Sequence, residues 1–164
     1  MKLKIQEALK KAQKALEVGR MQEAQIIYRA ILNAKPNHAV ASHNLGIIAV
    51  GSNHIAVALE LFKAAVKSKP TVEQFWVSYL TTLIEADHIE EADKVFRLSE
   101  LETLNSDMIQ DCRLQLGIKL SNADRFEEAI KHLEAVGSKK AKMYILRCLY
   151  LMDDRTSFCD LLAK

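Results

Sequence analysis

The 164 residues carry 49% hydrophobic and 27% charged side chains, a balance that leaves ample apolar area for a core. Five glycines and two prolines are too few for the tight turns of sandwiches or barrels, and abundant Ala, Leu, Lys and Glu favour helix, so the composition predicts an all-α chain. A formal charge of +2, with both signs mixed along the chain, lacks the concentrated positive field that nucleic-acid binding requires, which removes polyanions from the expected partners.

The opening run Met1-Lys2-Leu3-Lys4-Ile5-Gln6-Glu7 places charges where a signal core would be apolar, and no later run approaches the roughly 18 apolar residues of a membrane span. The expectation is a cytoplasmic protein with no membrane partner. From there a fixed period runs along the chain. Ala24, Ala58 and Ala92 are spaced by 34, Tyr28, Phe62 and Phe96 follow each alanine by four, and Pro36 and Pro70 stand twelve after the first two alanines. A fourth copy arrives three residues late, with Phe126, Ala129 and Leu133, which implies a short insertion near Glu102 to Asn105.

Each unit reads as two amphipathic helices, because apolar residues recur at three- and four-residue steps on either side of a short polar break. At the first break of successive units stand Gly19, Asn53, Asp87 and Asp124, residue types that tolerate the left-handed backbone at which a helix stops and reverses. Pro36 and Pro70 mark the junctions between units. The alanines Ala24, Ala58, Ala92 and Ala129 are expected to face Ala12, Gly46, Leu80 and Gly117 on the preceding helix, so that in most copies two small residues let the axes approach. Tyr28, Phe62, Phe96, Leu133 and Trp76, with Leu45 and Leu116, then fill the space above, each buried side chain contributing about 1.5–3 kcal/mol. The last stretch, 139–164, carries Met143, Tyr144, Leu146, Leu149, Tyr150 and Met152 on a helical period, then Asp153-Asp154 and Phe158, Leu161 and Leu162. It reads as a degenerate fifth pair whose outer face is only partly polar. Cys112, Cys148 and Cys159 have no CxxC spacing and read as reduced packing residues within helices.

With these residues in register the sequence resembles a tetratricopeptide repeat array. That unit carries an aromatic or small residue at its fourth position, Leu-Gly at seven and eight, Ala at twenty, an aromatic at twenty-four, a small residue at twenty-seven and Pro at thirty-two. Residues 39–72 match best, with Leu45, Gly46, Ala58, Phe62, Ala65 and Pro70; 5–38, 73–106 and 110–138 match in part. The resemblance implies one domain over 1–164, a right-handed superhelical solenoid of antiparallel helix pairs with about four repeats and a C-terminal capping pair.

In such a fold the first helix of each repeat lines an inner, concave face where partners bind. The inward positions would be Gln6, Leu9, Lys10 and Gln13; Val40, His43, Asn44 and Ile47; Gln74, Val77, Ser78 and Thr81; and Asp111, Leu114, Gln115 and Ile118. Amide and hydroxyl groups interleaved with aliphatics suit a protein segment or extended peptide. Chaperone-tail readers of the family hold a terminal carboxylate with Lys, Asn, Asn, Lys and Arg; the matching positions are Leu9, Gln13, Asn44, Gln74 and Ser78, where only Asn44 agrees. Self-association through the groove or the C-terminal end is a further expectation.

Nothing in the sequence points to chemistry. No Gly-rich phosphate loop, GxSxG elbow or paired Cys–His or Ser–His stands out, so no catalytic residue, cofactor or metal is expected. The pairs Glu90-Glu91 and Glu127-Glu128 open second helices, where they favour the positive helix end. Arg20, His54, His88 and Arg125 occupy one equivalent position after each first break and read as a solvated turn, or a weakly basic edge, rather than a metal site. The expected function is a non-catalytic protein-interaction scaffold. The alternative is a substrate-recruiting module, since Glu73-Gln74-Phe75-Trp76-Val77-Ser78-Tyr79 and Asn44-Leu45-Gly46 resemble repeats found ahead of bacterial glycosyl-, sulfo- or methyltransferase domains. An RNA-binding helical repeat fits the charge poorly. If the alanine positions set helix approach, Ala58→Leu overpacks the second pair and lowers stability by about 1–3 kcal/mol; a circular-dichroism melt unchanged from wild type would contradict that packing.

Overall fold

The computed structural model describes residues 2–101, 104 and 106–163, and every regular element among them is an α-helix. In chain order they are α1 (Lys2–Glu17), α2 (Met21–Ala34), α3 (Ala39–Gly51), α4 (Ile55–Ser68), α5 (Glu73–Glu85), α6 (Ile89–Leu101), α7 (Asp107–Asn122), α8 (Phe126–Val136), α9 (Lys139–Leu151) and α10 (Arg155–Leu162). The starts of α3 and α5 fall 34 residues apart, the period of the alanines. The insertion expected near Glu102 to Asn105 falls on Glu102, Thr103 and Asn105, which lie outside the described residues. No described helix is long and apolar enough to cross a membrane. The chain divides into two compact units, Met1–Ala86 with α1–α5 and Asp87–Lys164 with α6–α10, taken separately below.

The reversals follow from backbone chemistry. Gly19, Asn53, Asp87 and Asp124 all adopt the left-handed conformation expected of them, with φ of 76°, 58°, 62° and 58°. Asp153 makes a fifth such break, at φ 56°, which the sequence reading did not single out. The residue after the break closes a Schellman bond onto the carbonyl five back: Arg20 onto Ala15, His54 onto Ala49, Arg125 onto Leu120 and Asp154 onto Leu149. These bonds satisfy carbonyls that a helix end otherwise leaves bare. Several helix starts are capped by side chains, His38, Ser106, Ser138 and Asp154 each accepting from the amide three residues on. Pro36 and Pro70 lie in the junctions two residues ahead of the N-caps His38 and Val72, and the Trp76 indole donates to the Pro70 carbonyl at 2.6 Å.

The repeated small residues are fully buried: Ala12, Ala24, Ala58, Ala92 and Ala129 are 0% exposed. In unit 1, Ala12, Ala15, Ala24, Tyr28, Ile31, Leu45 and Ile48 form a common core with Ala41. Gly46 shows why the close approach works. A Cβ there would stand 2.7 Å from Cε1 and 2.9 Å from Cδ1 of Phe62, so the residue that demands glycine is the ring four positions after Ala58 rather than Ala58 itself. In unit 2, a Cβ at Gly117 would stand 2.6 Å from Leu133 Cγ, the equivalent bulky position. Cys112 and Cys148 are buried as expected, and Cys148 Sγ donates to Ser121 Oγ at 3.2 Å. Cys159 is exposed on α10, a helix that buries none of its residues, so it is not the packing residue expected from its type.

Two alanine substitutions in α3 should therefore act in opposite directions. Both gain about 0.5–1 kcal/mol of helix propensity. Gly51→Ala meets nothing within 4 Å and is expected to hold or raise the melting temperature, whereas Gly46→Ala collides with Phe62. Overpacking of about 1–3 kcal/mol outweighs the propensity gain there, and thermal unfolding of the two variants reads the difference.

Candidate partner-binding face

Unit 1 supplies the expected inward positions from α1, α3 and α5. Gln13 and Gln74 are exposed, Val40, Asn44, Val77, Ser78 and Thr81 are half-buried, Ile47 is 48% exposed and His43 only 6%. Three of them form a hydrogen-bonded chain across helices. Asn44 Nδ2 donates to the Tyr28 hydroxyl at 2.9 Å, Asn44 Oδ1 lies 3.3 Å from His43 Nδ1, and His43 Nε2 lies 2.9 Å from Ser78 Oγ. With the Asn44 amide donating to Tyr28, its carbonyl accepts from His43 Nδ1–H, and in the neutral imidazole Nε2 then accepts from the Ser78 hydroxyl.

Burial favours that neutral form. It pushes His43 below the ordinary histidine range, against the opposing pull of the Asn44 hydrogen bond. The ring sits 4.7 Å from the Phe75 centroid and 5.6 Å from that of Phe62. His43, Asn44 and Ser78 thus tie α2, α3 and α5 together, and their polarity is largely spent inside the unit. The aliphatics Val40, Ile47 and Val77 keep accessible surface beside them.

In unit 2 the expected positions lie on α7, where Asp111 and Gln115 are exposed and Leu114 is half-buried. The same helix carries Arg113, which sequence reasoning missed. It is 8% exposed, donates to Glu100 Oε1 at 2.6 Å and places its guanidinium 5.0 Å from the Phe96 centroid. His132 on α8 approaches the same ring, at 5.8 Å between centroids, with Nε2 3.3 Å from Asp93 Oδ1. The other Asp93 oxygen accepts from Arg97 at 2.6 Å. A signal for both existed. Arg113 stands four before Gly117, where Ser42 and Trp76 stand before Gly46 and Leu80; His132 stands three after Ala129, where Ile27, Leu61 and Val95 follow the other alanines.

The turn residues Arg20, His88 and Arg125 each pair with the glutamate three ahead, Glu23, Glu91 and Glu128, at 3.6, 3.9 and 2.7 Å. Such exposed pairs contribute about 0–1 kcal/mol. His54 has Val57 at that place and is exposed. Among the described residues no group of three or more His, Cys, Asp or Glu is placed to hold a metal ion. A cavity of about 640 Å³ lies between α9 and α10, with Tyr150, Phe158 and Asp153 in its wall.

Burial also depresses His132, more than the nearby Asp93 raises it, and Arg113 and Lys131 add to the depression. A histidine whose folded value lies below its unfolded value of about 6.5 binds its proton first in the unfolded chain. Stability present above about pH 6.5 is then lost as the pH falls below it. Denaturant unfolding at pH 7.5 and 5.5 should show this loss. His132→Leu, which restores the apolar residue of that repeat position, should shrink it.

No protein-family model matches the sequence, and no curated protein matches it. Solved structures do. A crystal structure of MamA superposes with a TM-score of 0.76 at 18% identity, covering 99% of this chain and 90% of that one. YrrB, described as a TPR protein with an unusual peptide-binding site, superposes at 0.70 with 19% identity over 95% of this chain and 81% of its own. A MamA double mutant gives 0.72 at 14% identity, covering 98% and 91%. The fold of this chain is that of the tetratricopeptide repeat proteins.

Proposed function

We propose that the protein is a non-catalytic scaffold that binds a protein segment or extended peptide on the inner helix face of unit 1, through Gln13, Val40, His43, Asn44, Ile47, Gln74, Val77, Ser78 and Thr81; in unit 2, taken by itself, the candidate positions are Asp111, Leu114 and Gln115 on α7. One observation carries the proposal. On α3 and α5 the buried polar groups already satisfy one another, while the large aliphatic Ile47 remains 48% exposed beside Val40 and Val77. A face of that kind offers apolar contact without the desolvation of unpaired charge, which suits a neutral or aliphatic segment better than an acidic tail. The likeness in fold to YrrB supports the reading, since that protein is described by its peptide-binding site.

Selection of a random peptide library on the immobilised chain tests it. Uncharged, aliphatic-containing peptides are expected to enrich. Val77→Glu on the inner face should weaken their binding about tenfold or more, because the introduced carboxylate would be buried unpaired, whereas Val57→Glu on α4 should leave it unchanged. Peptides indifferent to Val77→Glu would remove the inner face from consideration. Asn44→Ala is a poorer probe, since it also breaks the bonds to Tyr28 and His43.

A further inference from the structure

The junction between α6 and the two helices after it in unit 2 is built from charge. Three ion pairs cross it: Asp87, at the left-handed break before α6, lies 2.8 Å from Lys119 on α7; Glu90 lies 2.9 Å from Arg125 in the α7–α8 turn; and Glu100 lies 2.6 Å from Arg113 on α7; Asp93 adds a contact at 3.3 Å to His132 on α8, ionic only when that buried ring is protonated. Every acid sits on or just before α6, and every base sits on the α7–α8 side. In unit 1, α3 is joined to α2 and α5 differently, through the neutral bonds from Asn44 to Tyr28 and between His43 and Ser78, and the exposed ion pair of Lys11 with Glu23 is confined to α1 and α2. Where the charged junction is buried it is incompletely satisfied, since Arg113 Nε and His132 Nδ1 are buried without a hydrogen-bond partner among the described residues. Such groups give up hydration that the folded state does not fully replace.

We propose that this seam is an electrostatic joint: charge pairs seat α6 on α7 and α8, and ionic strength sets how firmly they do so, while the neutral junctions of unit 1 stay fixed. The acids of three rungs, Asp87, Glu90 and Glu100, are exposed, so mobile ions reach them. Between 0.01 M and 1 M salt the screening length falls from about 30 Å to about 3 Å. Attraction across the exposed rungs is weakened over that range. The apolar contacts under α3 and α4 have no comparable dependence and serve as an internal reference.

Amide hydrogen exchange on the full chain, followed segment by segment at fixed pH in 0.01 M and 1 M sodium chloride, tests the joint. Exchange across 89–101 is expected to quicken about threefold or more in high salt relative to 39–68, the cumulative effect of weakening several exposed pairs. Asp87→Asn combined with Glu90→Gln keeps a residue that tolerates the left-handed turn and removes two acids at the surface. This variant should exchange faster than wild type across 89–101 in low salt and respond less to added salt. Equal responses of 89–101 and 39–68, a slowing of 89–101 in high salt, or a salt response undiminished in the variant would each overturn the proposal.

Discussion

Phe62 occupies the space that a side chain at Gly46 would need, and Leu133 does the same over Gly117. In these two helix pairs one partner gives up its Cβ and the other sends a bulky group into the gap. Close-packed interiors do not absorb an extra methyl without displacing something, and a buried ring has little room to move. The turn residues then have to deliver the two helices to each other at that spacing. The left-handed backbone at Asn53 and Asp124, with its Schellman bond, does so within a few residues. The candidate positions on α3 and α5 follow the same 34-residue period as the core.

Much of this could be read from residue types. A Gly, Asn or Asp between two apolar-periodic runs has few other reasons to recur at one phase, so the left-handed breaks at Gly19, Asn53, Asp87 and Asp124 were legible. Asp153 follows the same rule but stands in a stretch where the alanine and aromatic markers have lapsed, so the sequence shows it only as half of the polar pair Asp153-Asp154. The division between Ala86 and Asp87 was not legible, because the period runs across it and Asp87 resembles the other breaks. For Gly46 the position was correct and the facing residue was not. Periodicity shows which residues share a face but not which atom of a neighbour reaches across.

Polar side chains were the less legible part. Repeat spacing places His43, Asn44 and Ser78 as inward-facing hydrogen bonders, and the structure engages them first with one another and with Tyr28. Sequence spacing supplies the face, whereas the choice between a partner and a neighbouring helix depends on distances of a few tenths of an ångström. Arg113 and His132 were hidden for another reason. They occupy repeat positions that hold small, aromatic or aliphatic residues elsewhere, and a charged or titratable group at such a place reads as surface until its burial is seen. The same departures give unit 2 its charged junction, so what escaped the repeat pattern is also what distinguishes the two units.

The steric pairing of Gly46 with Phe62 is tested most directly by a double-mutant cycle with Gly46→Ala and Phe62→Ala, measured as unfolding free energies in urea. If the two side chains compete for one space, the truncated side chain at 62 relieves the clash, and the double variant is more stable than the sum of the single effects predicts by about 1 kcal/mol or more. Additive effects would mean that Gly46 and Phe62 do not share that space and that something else sets the helix spacing.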